Sequence, residues 1–540
     1  MAALPPAPPA AGAGGPVRVG RAVWLSAATM SSRLLGLVRD QLFAALFGAG
    51  AITDAFIVGF RIPNLLRDLF AEGALSSAFV PTFADVRQNR GEADARRLAD
   101  VMTGLVCLIV GALVLLGMLF TEEIIGALAP GLAEPALAAR LARVMMPFLL
   151  LVSLASVAMG ALNAQGRFTA PAFASTMFNV GSIAAGVAVW WAGWPPERAV
   201  MGWAVGTMLG GLLQLLIQVP SLASAGHVPR PRVGRGDLAD PAVRRIGRLM
   251  GAAVVGLSAT QVNILVSTWF VSHQQGGATW LNNAFRLMQL PLGVFGVAIA
   301  TVAGAGIAQR VAAKDHAGVR DTAGAAMRLV AFLNVPSAVG LAVLALPIIS
   351  MIYEHGAFRA EASRGTAEAL ACYALGLYAY SGVKVLAPAF YALDRSRVAV
   401  AGSVAGMLAN VGLNAALWPV LGHRGVALGT SAAAWVNYLV LAWSFRKEHG
   451  GFGGPSLVRQ LGRVLLACAP MAAVAWLTLA GAERATAAAG LHGVVRQLVL
   501  GLGPVAAGGL AYLAAARALR LPELDELLGA LRRRRARRVS

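Results

Sequence analysis

The sequence predicts an all-α integral membrane protein of about fourteen transmembrane helices. Two six-helix lobes are expected, related by a pseudo-two-fold along the membrane normal, with two further helices at the C-terminus. Three observations carry this. First, the 540 residues are 58% hydrophobic and only 13% charged, with a mean hydropathy of +0.68, a balance that would leave a soluble chain far too much exposed apolar surface. Second, apolar stretches of about 20 residues, the length of one bilayer crossing, recur from end to end. Third, the two halves carry matching motifs at matching places.

The spans, taken in order, are expected near 22–47, 52–84, 98–120, 139–163, 169–192, 199–219, 245–272, 278–308, 322–352, 365–392, 398–418, 425–445, 460–480 and 492–517. Residues 1–20 form an Ala/Pro/Gly-rich tail without the means to pack. Arg18 and Arg21 before an apolar run imitate a signal peptide. The run continues past Arg33 and Arg39, however, so it reads as a retained first span. Pro63, Pro147, Pro291 and Pro388 fall inside spans and predict kinks or breaks. Gly202, Gly206 and Gly210 put small residues on one face of the sixth span, suited to close helix packing. Cys107, Cys372 and Cys468 lie far apart in apolar stretches and read as small core residues.

Loop charge sets the expected orientation. Arg87, Arg90, Arg96 and Arg97 follow the second span, Arg167 the fourth, and Arg230, Arg232, Arg235, Arg244 and Arg245 the sixth. Arg310, Lys314 and Arg320, then Arg395 and Arg397, then Arg446, Lys447 and Arg459 continue the pattern, and the chain closes on Arg532–Arg535, Arg537 and Arg538. The alternate loops carry little net base, so both termini are expected on the cytoplasmic side. The net charge of +20 belongs to this pattern. Nucleic acid is not an expected partner, because the arginines sit between apolar spans and not on a soluble module.

The internal repeat rests on Phe60-Arg61-Ile62 against Phe285-Arg286-Leu287, Phe70 against Phe295, Ser153 against Ser381, and Arg167 against Arg395. The expected organisation is a lobe at 21–219, a linker at 220–244, and a second lobe at 245–446. Two extra helices occupy 447–520, and a basic tail follows at 521–540. Repeats of this kind place a transporter's substrate between the halves.

Charges inside the spans are the candidate site. At about 100° per residue, Ser32, Arg33, Gly36, Arg39 and Asp40 share an arc of roughly 120° on the first span. A charge at mid-membrane costs about 2.5–3.5 kcal/mol on insertion scales, so each needs a partner, water or an anionic ligand. On the second span Asp54, Arg61, Asp68, Glu72 and Ser76 share a face, while Arg67 departs from it beyond the Pro63 kink. Two readings follow. Arg33–Asp40 and Arg61 with Asp54 or Asp68 are ion pairs that fix helix register. Alternatively Arg33, Arg39, Arg61, Arg67 and Arg286 outnumber the carboxylates and line a cavity for a phosphorylated substrate, which the planar guanidinium binds bidentately. Lys384 in the tenth span faces either that cavity or the interface. No metal-ligand spacing, Walker A loop or nucleophile elbow occurs, so no enzyme activity and no cofactor are expected.

These residues resemble the MurJ/MviN family of lipid II flippases, in the multidrug/oligosaccharidyl-lipid/polysaccharide exporter superfamily. The carrying motifs are Ser32-Arg-Leu-Leu-Gly-Leu-Val-Arg-Asp40, Phe47-Gly-Ala-Gly50, Thr53-Asp-Ala-Phe56, Pro63-Asn-Leu-Leu-Arg67, Phe70-Ala-Glu-Gly-Ala74 and Ala78-Phe-Val-Pro81. Phe285-Arg-Leu-Met288 with Pro291, Val383-Lys-Val-Leu-Ala-Pro388 and Phe390-Tyr391 follow. The resemblance spans about residues 20–515 and is densest over 31–81.

It implies translocation of undecaprenyl-diphosphate-linked peptidoglycan precursor from the cytoplasmic to the periplasmic leaflet of the bacterial inner membrane, by alternating access. It implies that Arg33, Arg39, Arg67 and Arg286 hold the diphosphate, with Asp54 and Glu72 as the acidic positions of the first lobe. The last two helices, at 447–520, are implied to border a groove for the lipid tail. From the reading of the charged residues themselves, Asp40 and Lys384 join the set as gating or ion-pair residues, and Arg61 joins the binding residues. Lipid II and membrane lipids are the implied partners, with cell-wall synthesis machinery as a further one and a monomer as the expected state. A sodium site built from second-lobe carboxylates is not expected, since the seventh, eleventh and twelfth spans offer Asn263, Asn410 and Asn414 instead. Membrane potential or another ion gradient is then the driving force. The alternatives are a multidrug or cation antiporter or another polyprenyl-linked oligosaccharide flippase on the same fold, a polyprenyl-phosphate-dependent membrane glycosyltransferase, or a structural scaffold.

Overall fold

The computed structural model describes residues 19–69, 75–234, 236–453 and 456–529, with side chains for all of these but 19–29, 252, 255–257, 259 and 260. Glu72, Phe70, the Pro-rich N-terminal tail, Arg235 and the C-terminal arginine cluster lie outside the described residues. The described chain is helical, without strands. It divides into two compact units, one of residues 1–278 with Gly356–Phe358, the other of 279–355 with 359–540.

The first unit contains α1 (Val19–Phe47), α2 (Ala51–Leu66), α3 (Ser76–Asn89), α4 (Glu92–Leu119), α5 (Thr121–Leu128), α6 (Pro135–Met145) and α7 (Pro147–Ala164). It continues with α8 (Thr169–Trp191), α9 (Pro196–Leu216), α10 (Val219–Ser224) and α11 (Pro241–Val271). Its core is built where α3, α4 and α7 meet, around Phe79, Phe83, Leu98, Met102, Leu149 and Leu162. The glycine face foreseen on the sixth span meets α8: a Cβ at Gly206 would overlap that of Ala185, and one at Gly210 would stand 2.6 Å from the Phe178 carbonyl oxygen. Only glycine permits that approach. By contact α11 groups with this unit, against α3 and α4, whereas the repeat assigns it to the second bundle.

The second unit contains α12 (Gly277–Pro291), from Thr279 onward, and α13 (Val297–Ala312), α14 (His316–Val343), α15 (Ala345–Tyr353), α16 (Ala360–Ala374) and α17 (Leu377–Ala392). It ends with α18 (Ser396–Leu421), α19 (His423–His449), α20 (Leu457–Ala488) and α21 (Gly493–Ala518). Val330, Phe332, Leu386, Phe390, Leu441 and Phe445 are fully or almost fully buried and form its core.

Helices follow the expected spans closely, and they reveal breaks of a shared pattern. Span three is a long α4 and a short α5, parted at Phe120 with φ −100° and ψ 27°. Span nine is a long α14 and a short α15, parted at Leu344 with φ −105° and ψ 22°. Span four is interrupted only at Met146–Pro147, where Met146 keeps helical dihedrals of φ −55° and ψ −43° and Pro135–Ala164 remains one span, whereas span ten breaks between α16 and α17 with a 45° bend. Pro147 explains the first break. The second contains no proline. Instead α19 supplies donors to the carbonyls that the bend frees: Ser431 Oγ to Cys372 at 2.8 Å and Trp435 Nε1 to Leu375 at 2.9 Å.

Ten helices among the described residues are long and apolar enough to cross a membrane, or eleven when α16 and α17 are counted as one span. The expected count of fourteen is not reached on that measure. α1 falls short because Arg33, Arg39 and Asp40 interrupt it.

Candidate functional site

On α1 the stripe Met30, Leu34 and Val38 is exposed at 58%, 58% and 46%, as expected of a lipid-facing surface. The opposite face leans on α8. Asn179, buried there, donates from Nδ2 to the Ser32 carbonyl at 3.0 Å, and its amide lies 3.8 Å from where a Gly36 Cβ would stand. Arg39 donates from Nε and Nη2 to Asp40 Oδ1 at 3.1 and 2.9 Å. Its guanidinium carbon also sits 5.2 Å from the centroid of Phe178, a cation–π distance. Arg33 is exposed and makes no ion pair among the described residues. The expected Arg33–Asp40 pair is therefore replaced by Arg39–Asp40. Arg33 and Asp40 share a face but stand about two turns, roughly 10 Å, apart along the axis, whereas the Arg39 side chain folds onto the next residue.

α2 begins with the Thr53 hydroxyl accepting from Gly50 N–H at 2.8 Å. Asp54 is buried and its Oδ2 accepts from the Gly276 N–H at 2.6 Å, tying α2 to the turn after α11. Arg61 is half-buried. Arg67 donates from Nη2 to Asp68 Oδ1 at 2.9 Å, and Asp68 is only 5% exposed. The helix widens to i→i+5 geometry from Arg67. In the second unit α12 carries a half-buried Arg286, and after Pro291 the same wider geometry runs over Leu292–Gly296. Arg61 thus stands six residues ahead of one wide turn, and Arg286 six ahead of the other. Such turns recur at functional sites.

Within the first unit the four arginines 33, 39, 61 and 67 face three described carboxylates, Asp40, Asp54 and Asp68. In the second unit Lys384 is half-buried on α17. Asn410 donates to Thr430 Oγ1 at 3.3 Å and Asn414 to Asn410 Oδ1 at 3.2 Å, an amide network where carboxylates were sought. No group of three or more His, Cys, Asp or Glu among the described residues is placed to hold a metal.

Two features have no signal in the sequence. One is the Phe178–Asn179 support on α8. The other is the linker, which is strapped onto α3 and α4. Asp100 accepts from the Arg230 N–H and pairs with His227 Nε2, both at 2.7 Å. Arg97 pairs with Asp237 at 2.7 Å, Arg90 with Asp240 at 3.0 Å and Arg245 with Asp85 at 3.0 Å. The Arg97 hydrogen bond holds the Asp237 carboxyl below its ordinary range, helped by the Gly234 N–H and opposed by burial. Arginines read as orientation signals are thus partly committed to local pairs. A cavity of about 500 Å³ under the strap is lined by Asp100, Ala223, Gly226, His227, Val228 and Arg230, none of them an expected site residue.

Comparison with known proteins gives the context. The family profile described as lipid II flippase MurJ matches residues 43–490. A lipid II flippase MurJ from Burkholderia cenocepacia is 34% identical over 436 residues, covering 78% of this chain and 83% of that protein. A probable lipid II flippase MurJ from Rhizobium meliloti is 33% identical, covering 84% and 85%. Among solved structures, a lipid II flippase MurJ in an inward closed conformation is similar with a TM-score of 0.76 at 26% identity, covering 92% of this chain and 98% of its own. An inward-facing multidrug resistance MATE transporter shares the fold, with a TM-score of 0.67 at 14% identity. With most of the chain inside the match, this protein belongs to the lipid II flippase MurJ family.

Proposed function

We propose that this chain is a multi-pass flippase of the bacterial inner membrane that carries lipid II from the cytoplasmic to the periplasmic leaflet, with both termini cytoplasmic. The observation that carries the reading is the state of its arginines. Arg33 is exposed and makes no ion pair among the described residues, while Arg39 and Arg67 are each paired with a neighbouring aspartate. A diphosphate offers more oxygen acceptors than one carboxylate and competes for such guanidinium groups. Arg286 adds a cation from the second unit, and Arg61 and Lys384 contribute further positive charge. Asp40 and Asp68 act as resting partners that the substrate displaces, with Asp54 and Glu72 as acidic gating positions. The prenyl tail stays in lipid, so only the polar head crosses.

Membrane potential drives the cycle in this reading, since one charge moved through 100 mV is worth about 2.3 kcal/mol. The test is leaflet accessibility of labelled lipid II in vesicles containing the reconstituted protein, with and without an imposed potential. Translocation is expected in the wild type and lost in Arg33→Ala and Arg286→Ala proteins that still fold and insert. Normal translocation by well-folded Arg286→Ala removes that residue from the mechanism, and chemical conversion of the lipid points to a transferase.

A further inference from the structure

We propose that Phe178 and Asn179 of α8 are positioning residues for the arginine face of α1, a role that rests on the arginine reading above. Asn179 fixes the height and rotation of α1 by bonding the Ser32 carbonyl at 3.0 Å. That carbonyl lies one residue before Arg33, and an amide donor buried in apolar surroundings holds its acceptor firmly. Phe178 supplies the ring on which the Arg39 guanidinium rests at 5.2 Å.

The ring is itself immobilised. It packs at 5.3 Å on Phe148, which packs at 5.5 Å on Phe60, the residue before Arg61. Behind it, a Cβ on Gly210 would lie 2.6 Å from the Phe178 carbonyl oxygen and 3.0 Å from its ring, so α9 closes the space into which the ring could retreat. One aromatic floor therefore runs under Arg39 and beside Arg61. Side chains held by packing and neighbouring hydrogen bonds keep a binding group within the narrow range of geometry that anion capture needs. Arg39 also pairs with Asp40 at 2.9 Å. The ring decides from which side a competing anion reaches it.

The experiment uses the full-length protein. Phenylglyoxal modification of Arg39 is measured by mass spectrometry, with Arg33 on the same helix as the internal reference. Phe178→Leu removes the π face and should raise the Arg39-to-Arg33 modification ratio by about two- to thirtyfold, the range of a cation–π contact. It should also raise the lipid II concentration for half-maximal flipping more than it lowers the maximal rate. Phe178→Tyr, which keeps the π face, should restore both values. Asn179→Leu should shift both readouts in the same direction, and it carries the test if Phe178→Leu does not fold.

An unchanged modification ratio in these variants overturns the proposal, as does a changed ratio with unaltered flipping. Failure of the arginine reading is told apart by Arg39→Ala flipping as wild type does, which overturns the proposal from the other side.

Discussion

Gly104→Ala is a stringent test of how the linker is held. Gly104 is buried on α4, and a Cβ there would meet the Arg232 carbonyl oxygen at 2.3 Å and its backbone C and N at 2.7 Å. Backbone atoms cannot rotate aside, so either α4 or the strap must move. Overpacking of this kind costs about 1–3 kcal/mol. Alanine returns about 0.5–1 kcal/mol in the interior of a helix. The net push is therefore about 0.5–2 kcal/mol. Against it stand partly exposed contacts such as Arg90–Asp240, about 40% exposed and worth at most about 1 kcal/mol.

The strap should give way before the helix does. Its open population should rise by about two- to thirtyfold, read as faster tryptic cleavage after Arg232 under conditions where opening limits access. Gly111→Ala on the same helix is the control, since nothing lies within 4 Å of its added Cβ. Unchanged cleavage in Gly104→Ala, or an equal rise in Gly111→Ala, refutes the reasoning.

Three further outcomes follow from the same geometry. Asp68→Ala strips a nearly buried partner from Arg67 and should destabilise the first unit by about 3 kcal/mol, visible as a lowered Tm in detergent. Ser431→Ala leaves the Cys372 and Tyr373 carbonyls without that donor and should cost about 1–3 kcal/mol, again as a lower Tm, with Ser431→Thr milder. Asp237 is an acid whose value is depressed in the folded chain from an ordinary 3.8. Its contribution is therefore present in full above that value and fades as pH falls through the depressed one. Hydrogen exchange across 226–240, corrected for intrinsic rate, should stay slow at neutral pH and quicken in strong acid, and Asp237→Asn should quicken it at neutral pH.

Helix positions were legible because membrane burial writes itself into local composition. The fifth span, expected at 169–192, is Thr169–Trp191, and the twelfth, expected at 425–445, lies inside His423–His449. Breaks were legible only where their cause was local, as at Pro147. The bend before Leu377 depends on Ser431 and Trp435, more than fifty residues away in sequence, and no reading of span ten alone could reveal it. The site was legible as residue types and faces: the exposed Leu34 and Val38 lie away from the polar stripe, as the wheel requires. Its pairings were not, because a wheel treats side chains as short spokes and Arg39 and Arg67 are long enough to fold onto Asp40 and Asp68. The Phe178–Asn179 support escaped because a phenylalanine and an asparagine in an apolar helix look like any others until a guanidinium and a carbonyl are seen against them.

The interruptions in spans four and ten rest on unlike chemistry. In span four the helical ladder loses one backbone donor to the proline ring of Pro147 itself; in span ten a 45° bend is stabilised by donors lent from a neighbouring helix. Substitution tolerance should differ accordingly between the halves. Pro147 should be replaceable at little expense to the helices around it, whereas the bend at Gly376 binds the fates of α16, α17 and α19 together, so that variation in any one of them is constrained by the other two. One joint is thus self-sufficient and the other communal, and inherited changes should accumulate more freely around the former.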